Sequence, residues 1–142
     1  KRMTRFNILM DQCISTVMYA IKNSVGGELF IPKMPSLSVI DIAKAINPKL
    51  KIKYIGIRPG EKIHEELISN SDALNTYNLK DYFVILPPYY KDNIKNFHKY
   101  IKFGKKVHPN FSYTSDNNKK FLSIKKIKEL INKNMNSFEL DL

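Results

Sequence analysis

Arg58-Pro59-Gly60-Glu61 sets a guanidinium and a carboxylate three positions apart around a Pro-Gly bend, directly after the apolar run Tyr54-Ile55-Gly56-Ile57. That combination suits a ligand carrying both phosphates and hydroxyls. A planar Arg fork donates parallel hydrogen bonds to phosphate oxygens. A carboxylate only accepts, so Glu61 would take hydroxyls such as those of a ribose on the same ligand. As an isolated string, the same four residues also describe a surface turn with an ion pair, because Pro-Gly is a common turn dipeptide.

The other chemically capable residues point elsewhere. His64, His98 and His108 lack i,i+4 spacing and a completing acidic cluster, so no metal site is expected. His64, beside Glu61 and Glu65, reads as a surface or hydrogen-bonded histidine. Cys13 is the sole cysteine, which excludes an internal disulfide and a cysteine-based zinc site, and it reads as a small buried hydrophobe on a helix. The five glycines (Gly26, Gly27, Gly56, Gly60, Gly104) do not fall into a dinucleotide-binding G-x-G-x-x-G. None of the eight tyrosines is followed four positions later by lysine, so no Tyr-x-x-x-Lys proton relay is present.

The elements that must position the Arg58 turn follow from periodicity. Met10, Ile14, Val17, Met18, Ile21 and Val25 recur at helical spacing and predict a helix over 9–24, stopped by Gly26-Gly27. Residues 28–31 predict a short strand closed by Pro32 and Pro35. Ser38 is placed to cap a second helix with Val39, Ile42, Ala43 and Ile46 as its packing stripe, ending before Pro48. Residues 51–57 alternate as a strand that delivers Arg58 to a sheet edge, where ligands of open α/β sheets bind. Residues 62–67 have helical composition, and 82–86 predict a strand ended by Pro87-Pro88. Residues 88–121 read as an irregular excursion with a helical piece near 93–101. An amphipathic helix over 123–134 carries Ile124, Ile127, Leu130 and Ile131 on one face, and it reads as docked on the protein rather than on a membrane.

Three longer segments then carry a family resemblance: Gly27-Glu28-Leu29-Phe30-Ile31-Pro32-Lys33-Met34-Pro35-Ser36, Asp41-Ile42-Ala43-Lys44-Ala45, and residues 55–65 around the Arg58 turn. With Met3-Thr4-Arg5-Phe6, Asp81-Tyr82-Phe83-Val84-Ile85-Leu86-Pro87 and Phe111-Ser112-Tyr113-Thr114-Ser115-Asp116, they occur in the order found in the inverting UDP-N-acetylglucosamine 4,6-dehydratases, which nearly the whole chain resembles. These belong to the polysaccharide-biosynthesis branch of the extended short-chain dehydrogenases. The resemblance implies an α/β fold: the C-terminal substrate-binding portion of such an enzyme, with few short strands, packed helices and no Rossmann core. It divides the chain into a substrate-binding domain (1–88) and an irregular basic excursion with a C-terminal amphipathic helix (89–142). It assigns Arg5 and Arg58 to the substrate diphosphate and Glu61 to the uridine ribose. The expected whole enzyme is a lyase that uses NADP, bound by an N-terminal domain preceding Lys1, acts on UDP-N-acetylglucosamine or a related UDP-sugar, and serves surface glycan synthesis, pseudaminic acid pathways included. Because such enzymes need a Rossmann fingerprint and a Tyr-x-x-x-Lys pair, which are missing here, the resemblance implies that catalytic and cofactor-binding residues lie outside this chain; the whole enzyme is expected to be a homo-oligomer, and the isolated segment to be inactive. A 4-epimerase or another nucleotide-sugar dehydratase of the same superfamily is the alternative. Asn7 departs from the family pattern, which has a bulky aromatic there, and this puts local packing and sugar preference in question.

Composition sets the remaining bounds. With 142 residues and 43% apolar content, the chain is long enough to build a real core. No stretch approaches the roughly 20 apolar residues of a membrane span, and no basic-then-apolar leader opens the chain. A cytoplasmic location with no membrane partner is expected. The net charge of +11 raises nucleic-acid binding as a different function class. Residues 1–90 hold 12 Lys or Arg against 8 acids, and 91–142 hold 12 against 5, so the excess lies in the second part. There Lys91, Lys95, Lys99 and Lys102 interleave with Tyr89, Tyr90, Phe97 and Tyr100, a pattern able to contact phosphates and stack bases. Asn, Lys, Ile and Tyr abound along the whole chain, however, so compositional bias accounts for the charge and no nucleic-acid partner is expected.

Overall fold

A computed structural model describes residues 2–138. In chain order they form β1 (Thr4–Phe6), α1 (Met10–Asn23), β2 (Leu29–Pro32), β3 (Ser36–Ser38), α2 (Val39–Ile46), β4 (Glu66–Ile68), α3 (Asn70–Ala73), β5 (Thr76–Asn78), β6 (Tyr82–Ile85), a 3-10 turn (Pro88–Lys91), α4 (Ile94–Phe103), β7 (Lys105–Lys106), β8 (Tyr113–Thr114) and α5 (Ile124–Phe138). This is the expected class: short strands among packed helices. Among the described residues no helix is long and apolar enough to cross a membrane.

The chain folds into two units, each assembled from separated segments. The first takes the chain up to Asn7, Pro35–Glu65 and the stretch from Ser115 onward. In it β1 and β3 pair antiparallel, with Arg5 opposite Leu37. Leu37, Ala45 and Ile127 form its buried core, flanked by Ile42, Leu122 and Ile131. Helix α5 is thus docked through Ile127 and Ile131, as its amphipathic pattern required. On α2 the buried residue is Ala45, whereas Ile46 of the expected stripe is exposed. Ser38 is the residue before the helix, but its hydroxyl makes no capping hydrogen bond.

The second unit comprises Ile8–Met34 and Glu66–Thr114. Its four-stranded antiparallel sheet runs β2-β6-β5-β7, and β4 pairs separately with β8. Tyr77, Val84, Leu86, Tyr90, Phe97 and Tyr100 make the core, so one side of α4 closes over the sheet. Tyr19 attaches α1 by stacking on Tyr82 at 4.2 Å between ring centroids and meeting Phe30 edge-on at 5.5 Å. The expected packing stripe of α1 is the outward one. Met10, Ile14, Val17, Met18 and Ile21 are all more than half exposed, and no residue of the helix is fully buried. Cys13 is correspondingly half-buried.

Two expectations fail between α2 and β4. Residues 51–57 do not form a strand, and residues 51–60 are all exposed. Alternation stabilises a strand only where a neighbour supplies the ladder, and none pairs with this stretch among the described residues. Gly56 adopts φ +86°, which also interrupts extended backbone. Residues 62–67, expected helical, instead lead irregularly into β4. The pairing of Glu66 and Ile68 with β8 outweighs their local helix propensity.

Candidate functional site

Pro59 and Gly60 build the turn that separates the two candidate ligand groups. Proline presets φ at the second turn position, and Gly60 takes φ +79° at the third, as a type II turn requires. The Glu61 N–H donates to the Arg58 carbonyl at 3.0 Å. The Arg58 N–H returns a bond to Glu61 Oε2 at 3.1 Å. Arg58 and Glu61 make no side-chain ion pair with each other, so the carboxylate is held by backbone while the guanidinium stays open. The turn lies on exposed backbone, and the Arg58–Glu61 ion pair of a simple surface turn is missing from it.

Arg58 and Glu61 line a cavity of about 450 Å³ within the first unit. Met3, Val39, Ile40, Ala43, Ile52, Ile55, Ile57 and Ile63 give it a largely apolar wall, and Arg2 and Lys53 add charge to it. Its volume falls within the range of small-molecule sites, and few polar groups in an apolar wall is the usual composition of such sites. The Pro-Gly spacing together with the family resemblance marked out Arg58 and Glu61. Arg2 and Lys53 carry no motif signal, because surface cations are frequent throughout this chain.

Arg5 is not among the cavity-lining residues. Its Nη1 donates to the carbonyls of Thr4 (2.7 Å) and Ile63 (3.2 Å), and its Nε lies 3.7 Å from Glu65 Oε1. Its charge partner is thus Glu65. The two N–H groups on Nη2 are left without a protein acceptor among the described residues, so the guanidinium is anchored through Nη1 and Nε and open at Nη2.

Around it, three distant segments are tied together. Thr4 Oγ1 lies 2.7 Å from His64 Nδ1 and 2.6 Å from Ser115 Oγ. Ser115 Oγ also accepts the Glu65 N–H at 2.9 Å, and Glu65 Oε2 accepts the Phe6 N–H at 2.7 Å. The far nitrogen of His64, Nε2, lies 3.8 Å from Asp116. His64 is therefore a hydrogen-bonded structural histidine in this cluster. Thr4 and Ser115 stand 111 positions apart, and nothing in the sequence pairs them.

Residues 1–87 match the family described as polysaccharide biosynthesis protein. Relatives include a UDP-N-acetylglucosamine 4,6-dehydratase (inverting) of Campylobacter jejuni serotype O:2, 42% identical over 134 residues, which cover 92% of this chain and 40% of the relative. A UDP-glucose 4-epimerase of Rickettsia rickettsii is 36% identical over 134 residues, covering 91% of this chain and 38% of that protein. Among solved structures, the X-ray structure of Pen from Bacillus thuringiensis superposes with a TM-score of 0.75 at 29% identity, over 94% of this chain and 40% of Pen. The chain thus spans about two fifths of the length of the curated relatives it matches. With the family pattern running through β1, α2, the Arg58 turn and β6, this chain belongs to the polysaccharide biosynthesis protein family.

Proposed function

We propose that this chain is the nucleotide-sugar-binding portion of an inverting UDP-N-acetylglucosamine 4,6-dehydratase, with residues 1–88 as the substrate-holding part. The observation that carries the proposal is the Arg58 turn, which presents an unpaired guanidinium and a backbone-held carboxylate to one apolar-walled cavity. Arg58 binds the diphosphate. Glu61 accepts the ribose hydroxyls through the oxygen its backbone bond leaves open, and Arg5 offers its Nη2 edge to the same phosphates. Such contacts contribute mostly to uniform binding, and they also fix where the hexose lies. The dehydratase reading is supported by 42% identity against 36% for the epimerase.

The lyase chemistry belongs to the full-length protein that contains this chain, which we propose acts in the cytoplasm as a homo-oligomer without nucleic-acid or membrane partners. Its cofactor, NADP in this reading, would accept hydride from the hexose and return it. The glycines here do not fit the cofactor: Gly26 and Gly27 lie between α1 and β2, Gly56 and Gly60 in the exposed stretch, and Gly104 at the end of α4. None stands where a strand turns into a helix, so no residue of this chain is assigned to the cofactor.

In the full-length protein, Arg58→Ala should weaken UDP and UDP-sugar binding together by about 1.5 to 3 kcal/mol, the range for a charged hydrogen-bonding group. Lysine at 58 should restore only part of it. Glu61→Gln should weaken uridine ligands and spare ligands lacking the ribose hydroxyls. Calorimetry in which both variants bind UDP like the parent would remove this turn from the site. Conversion of UDP-N-acetylglucosamine to its C4 epimer, with no 4-keto-6-deoxy product, would transfer the assignment to the epimerase.

A further inference from the structure

The cavity beside the Arg58 turn holds more positive charge than Arg58 alone provides. Lys53, on the exposed stretch, and Arg2, just before β1, line it as well. Neither makes an ion pair among the described residues. Glu61 is the sole carboxylate among the described residues lining it, and the Arg58 N–H already engages one of its oxygens. The described lining residues therefore set three cations against one anion, around a wall that Met3 and Ile55 keep apolar. Arg5, by contrast, has Nη1 committed to two carbonyls and Nε facing Glu65.

We infer that Lys53 and Arg2 are additional phosphate-binding residues, which make the site select a nucleoside diphosphate over the monophosphate and the free nucleoside. This deepens the reading of the Arg58 turn and rests on it. A sugar-linked diphosphate spreads its two negative charges over two phosphoryl groups and can meet cations from separate chain segments at once, whereas a monophosphate places a similar charge on one phosphoryl group. Lys53 suits the role because an ammonium on a long flexible stem can follow a phosphate without a fixed fork geometry.

The test is titration of the full-length protein with UDP, UMP and uridine at several salt concentrations. Lys53→Met should lower UDP affinity by about three- to tenfold, lower UMP affinity less, leave uridine unchanged, and flatten the loss of UDP affinity with salt. Lys53→Arg should restore UDP binding, and Arg2→Ala should act in the same direction as Lys53→Met. Lys51→Met serves as a control, because Lys51 is an exposed neighbour that does not line the cavity. Parental UDP affinity and salt dependence in Lys53→Met, or an equal loss in Lys51→Met, overturns the inference. If Arg58→Ala loses UDP binding while Lys53→Met keeps it, only this inference falls. If both keep it, the reading of the turn falls too.

Discussion

Glu28 shows how one carboxylate can hold a chain reversal. After α1 the backbone turns through Gly26 and Gly27, both at positive φ, and Glu28 accepts the N–H groups of Val25 (2.6 Å) and Gly26 (2.7 Å) and the hydroxyl of Tyr100 (2.8 Å). Burial opposes its charge, but these hydrogen bonds outweigh burial and hold its pKa below the ordinary 4.5. Tyr100 shifts the other way, raised first by its own burial and then by the bond to the Glu28 carboxylate. A lowered carboxylate pKa contributes stability that is full above the unfolded value and is lost as pH falls through the folded one. Glu28→Gln exchanges an acceptor for a donor facing backbone N–H groups, so it should destabilise at neutral pH by about 1 to 3 kcal/mol. Its melting temperature should also fall less steeply than the parent's as pH drops below 4.5. Parallel profiles for the two proteins would show that Glu28 is not an acid-sensitive group of this fold.

Between elements, the cluster of Thr4, His64, Ser115 and Glu65 joins β1 to the segment that follows the Arg58 turn. Ser115 is fully buried and serves both Thr4 and Glu65, so Ser115→Ala strands the Glu65 N–H and leaves the Thr4 hydroxyl with His64 alone. Denaturant unfolding should show a loss of about 1 to 3 kcal/mol, and an unchanged midpoint would mean that the cluster relaxes around the missing hydroxyl. This cluster also marks where sequence reading ended. Helices α1, α2, α4 and α5 and strand β6 were legible because each carries enough periodic apolar positions, or a dense enough β-branched and aromatic run, to announce itself. Strands β1 and β3, three residues each, were not. Their pairing is chosen by long-range contacts that local pattern does not encode. The alternation of 51–57 misled for the opposite reason: it is real, but no partner strand meets it among the described residues. In the candidate site, the positions of Arg58 and Glu61 were legible from Pro-Gly punctuation, whereas Arg2, Lys53 and Ser115 became visible only once distant segments had been brought together.

For the whole molecule, the outward stripe of α1 carries a measurable consequence. Met10, Ile14, Val17, Met18 and Ile21 present adjacent apolar side chains to water, more than a scatter of single exposed residues would. The purified 142-residue chain should bind a hydrophobic dye or self-associate, and it should turn over no UDP-N-acetylglucosamine with added NADP. A monodisperse chain with no dye binding, or measurable conversion free of contaminating enzyme, would count against the proposal that it is part of a larger enzyme. The interleaving of the two units has a different kind of consequence, for the order of events on the ribosome. The first unit's core needs Ile127 against Leu37 and Ala45, and its β1 is bonded through Thr4 to Ser115. Both segments of the second unit are synthesised before Ser115. The nascent chain can therefore complete the second unit first, while Arg5 and Arg58 wait on unclosed backbone, and the candidate site takes shape only when α5 has left the exit tunnel.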